Sequence, residues 1–259
     1  MIPKVIHYCW FGENKIPDEQ QKFIDDWQNK CPDWQIKQWN ESNFDINAHR
    51  FTKTAYEHKK FAFVADFVRV WALHNYGGVY LDTDVELKAN IDIFLKHQAF
   101  SCLEKSGIPF TSAVWGSCPQ HSLTGRMLNY YENRDYQQDE SANTITISDI
   151  LEQHYGIDKF KDQIQVGKDT THSIHIYSSN YFCLDLPINY ASHHFIGSWL
   201  DKDKQHHYKE FVHSEYYTAQ FLNNENILNN KDTLKSIAKA LSFKNLLSII
   251  RYFIKYRFK

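Results

Sequence analysis

The chain has 259 residues, a formal net charge of −2, five cysteines and an aromatic content of 16%. This length supports one sizeable core, so we expect a single α/β domain with an appendage. A net charge so close to zero gives no case for a nucleic-acid partner. The cysteines are dispersed, and we find neither a signal peptide nor an apolar run of the roughly 20 residues that cross a bilayer. We therefore expect a cytoplasmic protein with reduced thiols.

Strand and helix patterns alternate at the beginning of the chain. Residues 4–10 are β-branched and aromatic, which predicts a buried first strand. Residues 17–30 carry apolar side chains at helical spacing, and residues 34–39 alternate apolar and polar side chains as a strand does. This β-α-β order favours a mostly parallel sheet flanked by helices.

A second helix and strand then bring two carboxylates together. Apolar residues at every third or fourth position predict a helix over 61–76, which Gly77-Gly78 ends. Residues 79–81 predict a short buried strand with Asp82-Thr83-Asp84 at its carboxyl end. Open α/β sheets bind ligands beyond the carboxyl ends of their strands, so this motif has the position of a site.

The middle of the chain is less informative. The patterns predict strands over 99–104, 111–115 and 174–184, helices over 122–131 and 148–155, and a polar loop over 135–143. No internal repeat and no Pro/Gly/Ser-rich linker marks a second folded domain.

The chemistry of Asp82 and Asp84 points to a cation. Two carboxylates at i and i+2 after a strand can converge on one ion, and hard cations such as Mn²⁺ or Mg²⁺ prefer carboxylate and phosphate oxygens. An ion held there would stabilise charge on a departing nucleoside diphosphate. Asp-x-Asp alone is a weak signal, because it also occurs in solvated turns.

Three ordered motifs make the signal specific. They are FVADFVRVWAL (63–73) with YGGVYLDTDVE (76–86), the opening IPKVIHYCWFG (2–12), and HHFIGSW (193–199). Together they resemble glycosyltransferase family thirty-two, which is associated with bacterial capsule and lipopolysaccharide synthesis, and more distantly yeast mannosyltransferases and clostridial glucosylating toxins. The resemblance implies a GT-A-like fold (a Rossmann-like mixed sheet flanked by helices), a nucleotide-sugar donor, a Mn²⁺ or Mg²⁺ ion, and retention of anomeric configuration.

The resemblance also implies roles for individual residues. Asp66 and Arg69, at i and i+3 on one helix face, would hold the donor sugar's hydroxyls; the alternative is an ion pair within the helix. Trp10 would stack on the uracil and Tyr80 would reach the nucleotide, whereas both could also be ordinary core aromatics. With Asp82 and Asp84, Asp66 and Arg69 are the candidate catalytic residues.

The late motif would supply a further metal ligand. A neutral histidine binds Mn²⁺, and the resemblance favours His194, with the adjacent His193 left open because one residue of register decides which ring faces the metal. Ser198 and Trp199 would lie against the diphosphate, since a hydroxyl and an indole N–H are suitable donors.

Retention requires either a carboxylate nucleophile on the far face of the sugar or a front-face substitution. No motif nominates a nucleophile, and Glu86, Glu104 and Asp185 are only guesses. We therefore favour the front-face route, in which the acceptor attacks beside the departing diphosphate.

The end of the chain is strongly basic. Residues 231–259 contain eight basic side chains and one acid, a net charge of +7. Within them, residues 242–259 place apolar side chains on one helical face and cations on the other side. We expect a catalytic domain over 1–230 and a membrane-associating helical tail over 231–259, peripheral on the inner, anionic leaflet of the cytoplasmic membrane. The alternative is a helix packed on the catalytic domain.

The resulting hypothesis is a retaining, metal-dependent glycosyltransferase. It would move a hexose or N-acetylhexosamine from a UDP-sugar to a glycan or lipid-linked glycan acceptor of a capsule or lipopolysaccharide. Two other classes remain open: a non-catalytic carbohydrate-binding protein, and a Mg²⁺-dependent nucleotidyltransferase. Against the latter, no Gly-rich phosphate loop of the usual spacing is present.

Overall fold

A computed structural model of the protein describes residues 1–104, 108–186, 189–197 and 230–257, together with seven single positions between 208 and 218. The chain divides into two compact units, Met1–Lys209 and Glu210–Lys259. The domain boundary expected between residues 230 and 231 stays a prediction. All five cysteines are free thiols.

A central sheet and a small second sheet organise the first unit, with helices around them. The strands are β1 (Val5–Cys9), β2 (Gln35–Trp39), β3 (Gly78–Leu81), β4 (Val85–Leu87), β5 (Ala99–Cys102), β6 (Val114–Ser117), β7 (Gln165–Lys168), β8 (Ser173–Tyr177) and β9 (Ala191–His193). The helices are α1 (Asp18–Lys30), α2 (Arg50–Glu57), α3 (Phe61–Tyr76), α4 (Ser122–Tyr131) and α5 (Asn143–Tyr155). Single 3₁₀ turns lie at Ile46–Ala48 and Asp92–Phe94.

The central sheet has seven strands in the order β2-β1-β3-β6-β5-β8-β7, while β4 and β9 form the two-stranded sheet. Strand β1 runs parallel to β2 and β3, and β5 runs parallel to β8. The pairs β3–β6, β5–β6 and β7–β8 are antiparallel. This mixed sheet flanked by helices confirms the GT-A-like α/β class. The expectation of a mostly parallel sheet is wrong, because antiparallel neighbours need no crossover helix and the β-α-β pattern covers only the first strands.

The transition from α3 to β3 depends on two glycines. Gly77 ends α3 at φ 65°, and its N–H donates to the Leu73 carbonyl. Gly78 has φ 111°, and a Cβ there would lie 2.6 Å from the Val5 carbonyl oxygen. The pair therefore lets the chain turn directly from the helix into a strand that pairs with β1.

Several boundaries differ from the sequence-based expectation. Helix α5 begins at Asn143, five residues before the expected start, and the strand expected over 111–115 is β6 at Val114–Ser117. The strand expected over 174–184 ends at Tyr177. Helix α2 and strands β4, β7 and β9 were not predicted, because elements of three to eight residues are too short to show a clear period.

The second unit contains α6 (Lys231–Ala240) and α7 (Phe243–Arg257). The Ser242 hydroxyl accepts a hydrogen bond from the Asn245 amide at 3.2 Å, which caps the start of α7. The expected tail is therefore two helices, not one. Among the described residues, no helix combines the length and the apolar character needed to cross a membrane.

Candidate active site

Asp82 and Asp84 lie in a tight turn between β3 and β4. The Asp82 amide donates to the Ala113 carbonyl at 2.9 Å, and the Val85 amide donates back to the Asp82 carbonyl at 3.0 Å. These bonds fix the turn at the carboxyl end of β3. Both side chains are largely buried, with exposed fractions of 26% and 12%.

Pairing of β4 with β9 brings a histidine to the two aspartates. Val85 is opposite His193 in this antiparallel pair, and His193 Nε2 lies 3.4 Å from Asp84 Oδ1. One ligand atom from each of Asp82, Asp84 and His193 lies within 4.8 Å of the others. We call these three residues the carboxylate–histidine cluster.

His194 has different surroundings. Its Nε2 lies 3.0 Å from Glu86 Oε2, and its ring stacks on Phe23 with the centroids 4.6 Å apart. Its amide donates to the Asp84 carbonyl, which fixes the register of this segment. Of the two candidate histidines, His193 is the one in the cluster. His194, which the resemblance favoured, lies against Glu86 because neighbouring strand residues point in opposite directions.

Burial and mutual charge shape the pKa values of the cluster. Burial alone would raise the pKa of Asp84, but His193 and the Ile196 amide, which donates to Asp84 Oδ2 at 2.9 Å, hold it at about 2. Burial raises the pKa of Asp82 and Asp84 adds to the rise, while Arg69 opposes it. Burial would lower the pKa of His193, but Asp84 outweighs it and raises that pKa.

These residues fit a divalent cation. Two carboxylate oxygens and one imidazole nitrogen form a donor set that suits Mn²⁺. Burial is the main cause of the raised pKa of Asp82 and the Asp84 charge adds to it; a cation between the two carboxylates would relieve their repulsion. The identity of the metal is a proposal.

Arg69 connects α3 to the cluster. Its Nη2 lies 3.1 Å from Asp66 Oδ1 and 3.2 Å from Asp82 Oδ1, and its Nη1 donates to the Ser112 carbonyl and hydroxyl. The residue is only 5% exposed. The guanidinium is thus committed to positioning Asp66 and Asp82, and it stacks over the Tyr80 ring at 4.6 Å.

Asp66 lies beside Arg69 and has a raised pKa. Burial raises its pKa to about 6, although the Arg69 charge opposes the rise. The Asn143 side-chain amide donates to the Asp66 carbonyl at 3.3 Å, which ties the start of α5 to α3.

A cleft of about 730 Å³ opens beside these groups. Its lining includes Trp10, Asp66, Arg69, Tyr80 and the carboxylate–histidine cluster, which brings most of the candidate residues to one cavity. Trp10 is partly exposed, and its indole N–H donates to the Asn14 carbonyl at 2.7 Å. Tyr80 is 1% exposed, and its hydroxyl donates to Asp82 at 3.0 Å. Ser198 and Trp199 lie outside the described residues.

The three guessed carboxylates have different positions. Glu104 lines the cleft. Glu86 and Asp185 both lie near Lys88, at 3.0 and 3.5 Å from its Nζ.

Gln20 and Ser112 also line the cleft, and sequence reasoning missed both. Gln20 is 3% exposed, and its Oε1 has no hydrogen-bond partner among the described residues. Its signal was available: Gln20, Ile24 and Trp27 share one face of α1, so a polar residue occupies an otherwise apolar stripe. Ser112 has no comparable signal, because only the tertiary fold places it near Arg69.

Comparisons with known proteins agree with this geometry. Residues 17–101 match the family described as glycosyltransferase sugar-binding region containing DXD motif. Inositol phosphoceramide mannosyltransferase 1 of Schizosaccharomyces pombe is 28% identical over 57% of this chain and 48% of its own length. Glycosyltransferase L373 of Acanthamoeba polyphaga mimivirus is 25% identical over 77% of this chain and 84% of its own length. The chain thus spans about half of the first relative and most of the second. These similarities agree with the expected enzyme class, a glycosyltransferase.

Two solved structures are also similar. The PaToxG glycosyltransferase has a TM-score of 0.48 and 16% identity, covering 59% of this chain and 70% of that one. The glycosyltransferase GlyE of Streptococcus pneumoniae TIGR4 has a TM-score of 0.39 and 9% identity, covering 84% and 64%.

Proposed function

We propose that the protein transfers a hexose from a nucleoside diphosphate sugar to a lipid-linked acceptor in a metal-dependent reaction. The carboxylate–histidine cluster carries this proposal, because its ligand atoms lie within 4.8 Å of one another beside a cleft of about 730 Å³. Sites for small molecules commonly have volumes of roughly 300–1,000 Å³. A UDP-sugar is the donor that we expect from the sequence.

Asp82, Asp84 and His193 would hold the cation, which supplies positive charge for the leaving diphosphate. Asp66 would accept hydrogen bonds from donor-sugar hydroxyls, and Arg69 holds this carboxylate at 3.1 Å from its Nη2. Trp10 offers a partly exposed ring at the same cleft for stacking on the base. Each role uses a side chain that the fold already positions, so little reorganisation is required on binding.

For the stereochemistry we propose retention by front-face substitution. The acceptor oxygen bonds to the anomeric carbon as the bond to the diphosphate oxygen breaks, and a diphosphate oxygen takes the acceptor's proton. Of the three carboxylates considered from the sequence, Glu104 is the one that lines the cleft, so it is the one to be tested as the nucleophile of a double displacement. A covalent sugar adduct on Glu104, detected by mass spectrometry of quenched enzyme, would contradict the front-face route.

Two observations support a lipid-bearing acceptor. The Schizosaccharomyces pombe relative is named for an inositol phosphoceramide acceptor and for mannose. The resemblance to capsule and lipopolysaccharide enzymes favours a lipid-linked surface glycan. Both support a lipid-bearing acceptor, and the first adds mannose to the hexoses that need testing.

The test is donor hydrolysis by the full chain. UDP-glucose, UDP-galactose, UDP-GlcNAc, UDP-GalNAc and GDP-mannose are each incubated with Mn²⁺ or chelator, and the released nucleoside diphosphate is measured. We expect one donor to be hydrolysed only with Mn²⁺, and Asp84→Asn to reduce this rate at least a hundredfold. Asp135→Asn, which changes a surface pair with Arg50, is the matched control.

The two other classes are tested with sugar alone and with a nucleoside triphosphate plus a sugar phosphate, beside the donor assay. A carbohydrate-binding protein would bind sugar without releasing nucleoside diphosphate. A nucleotidyltransferase would release pyrophosphate from a nucleoside triphosphate and a sugar phosphate. Either result, with no donor hydrolysed, would overturn the proposal.

A further inference from the structure

We infer that α7 is a docking surface for an anionic lipid bilayer, with its apolar face in the interface and a row of cations bound to head groups. This inference concerns the second unit and does not depend on the proposed function.

The apolar face of α7 is exposed to an unusual extent. Phe243, Leu246, Leu247, Ile250, Phe253 and Ile254 recur at spacings of three and four residues and so share one face. Their exposed fractions are 75%, 41%, 50%, 45%, 58% and 56%, in that order. By contrast, Ile24 and Trp27 on the inner face of α1 are 5% and 0% exposed. A contiguous apolar face of this size marks an interaction surface.

Three of the four cations of α7 form a row along one border of this face. Lys244, Arg251 and Lys255 are seven and four residues apart, so they project in one direction, beside Leu247 and Ile254. The helix contains no Asp or Glu. Helix α6 adds Lys231, Lys235 and Lys239 at four-residue spacing. A helix that lies in a membrane interface has this arrangement, with long cationic side chains reaching the head groups from the edge of the apolar face.

Charge complementarity selects the bilayer over a second copy of the chain. Two α7 helices packed face to face would bring two rows of cations to the borders of one interface, where they repel each other. An anionic lipid surface neutralises the same cations, with each Lys or Arg near the surface contributing about a fivefold increase in binding. The surface therefore fits anionic lipid, such as that of an inner leaflet.

The experiment is vesicle flotation with the full chain. Vesicles of phosphatidylcholine alone are compared with vesicles containing 30% phosphatidylglycerol, at low and high salt (about 0.05 and 0.5 M). We expect flotation with the anionic vesicles at low salt and its loss at high salt.

Two variants, one with a single and one with a triple substitution, test the apolar face and the row of cations separately. Ile250→Asp should weaken vesicle binding at least tenfold, whereas Ile164→Asp, the same change at an isoleucine 51% exposed in the first unit, should not. Replacing Lys244, Arg251 and Lys255 together by Gln should weaken binding about a hundredfold. The matched control is the triple Gln variant of three exposed lysines of the first unit, Lys22, Lys53 and Lys168.

The outcomes separate this inference from the proposed function. Donor hydrolysis is measured in each variant and should be unchanged. Loss of vesicle binding is thereby distinguished from loss of enzymatic activity. Equal binding to neutral and anionic vesicles would overturn the inference. So would a dimer, seen by light scattering, that Ile250→Asp abolishes while vesicle binding is absent. A monomer that floats with neither vesicle would overturn it as well.

Discussion

At the scale of single residues, His193 and His194 have opposite surroundings although they are adjacent. His193 Nε2 lies 3.4 Å from Asp84, and His194 Nε2 lies 3.0 Å from Glu86. We expect His193→Gln to weaken Mn²⁺ binding at least tenfold, since even outer-shell partners of a metal site contribute 10- to 100-fold. Titration with Mn²⁺, followed by calorimetry, measures this change.

His194→Gln is the matched control, because it alters the neighbouring residue without touching the carboxylate–histidine cluster. Its Mn²⁺ affinity should stay within about threefold of the original. A larger loss of Mn²⁺ affinity in His194→Gln than in His193→Gln would show that His193 is not a ligand of the metal.

Gln20 lowers the stability of the fold but occupies a position where it can contact a ligand. Its side chain is buried in the cleft lining, and its Oε1 accepts no hydrogen bond from the described residues. A buried polar group without a partner costs about 1–3 kcal/mol. An acceptor at this position suits a ligand N–H or O–H, such as a base or sugar edge, better than a phosphate oxygen. We therefore expect Gln20→Leu to raise the free energy of unfolding by about 1 kcal/mol and to weaken donor binding about tenfold.

Urea unfolding and donor titration, carried out on the same preparation, measure both effects of Gln20→Leu. A variant that is more stable and binds the donor normally would leave Gln20 outside the donor site.

At the scale of elements, Arg69 joins α3, the β3–β4 turn and the segment before β6. It is 5% exposed and contacts Asp66, Asp82 and Ser112. Removing one partner of a buried ion pair leaves the others uncompensated, which costs about 3–5 kcal/mol. We expect Arg69→Met to lower the free energy of unfolding by this amount in urea, because two carboxylates lose their counter-charge.

The comparison for Arg69 is Arg50→Met. Arg50 also pairs with an aspartate, Asp135, but its side chain is 63% exposed. Exposed pairs contribute about 0–1 kcal/mol. Equal losses in the two variants would mean that the Arg69 network does not stabilise the fold.

The sequence predicted the elements that carry a long, regular pattern. The helix expected over 61–76 is α3, and the strand expected after Gly77-Gly78 is β3, because sixteen residues show a helical period and two glycines mark its end. Strands β4 and β9 have three residues each and show no period. Their pairing register decides which histidine joins Asp84, so the sequence left His193 and His194 as alternatives.

At the scale of the whole molecule, the candidate site combines residues that are far apart in the chain. Asp66, Asp82 and Asp84 belong to one continuous stretch, and their proximity follows from local structure. Glu104, Ser112 and His193 reach the same cleft only through the order of the strands. That order includes antiparallel pairings of β6, which no local pattern indicates, and this explains why Ser112 could not be predicted.

Buried neutral histidines are distributed over the same fold. His7 in β1 donates from Nε2 to the Gly77 carbonyl and accepts at Nδ1 from the Trp39 indole N–H. His121, just before α4, donates from Nε2 to the Ser173 carbonyl and accepts at Nδ1 from the Leu123 amide. Burial lowers the pKa of each to about 4. Protonation at Nδ1 would place two N–H groups against each other, so these bonds hold the neutral form.

This arrangement predicts acid sensitivity between pH 6.5 and 4. The pKa of both histidines is lower in the folded state than the ordinary 6.5, so their contribution is complete above pH 6.5 and is lost as the pH falls towards about 4. Each contributes a slope of up to about 1.4 kcal/mol per pH unit.

Asp66 acts in the opposite direction. Because its pKa is raised to about 6 in the folded state, the folded state binds this proton at a higher pH than the unfolded state does. His97, also lowered to about 4, offsets that gain. The free energy of unfolding, measured in urea with chelator present, should therefore fall from pH 7 to pH 4.5.

Three variants test the source of this pH dependence. His7→Gln and His121→Asn should each reduce the slope by about one proton, whereas His154→Gln, at an exposed position of α5, should leave it unchanged. An unaltered slope in the first two variants would assign the acid sensitivity to other groups.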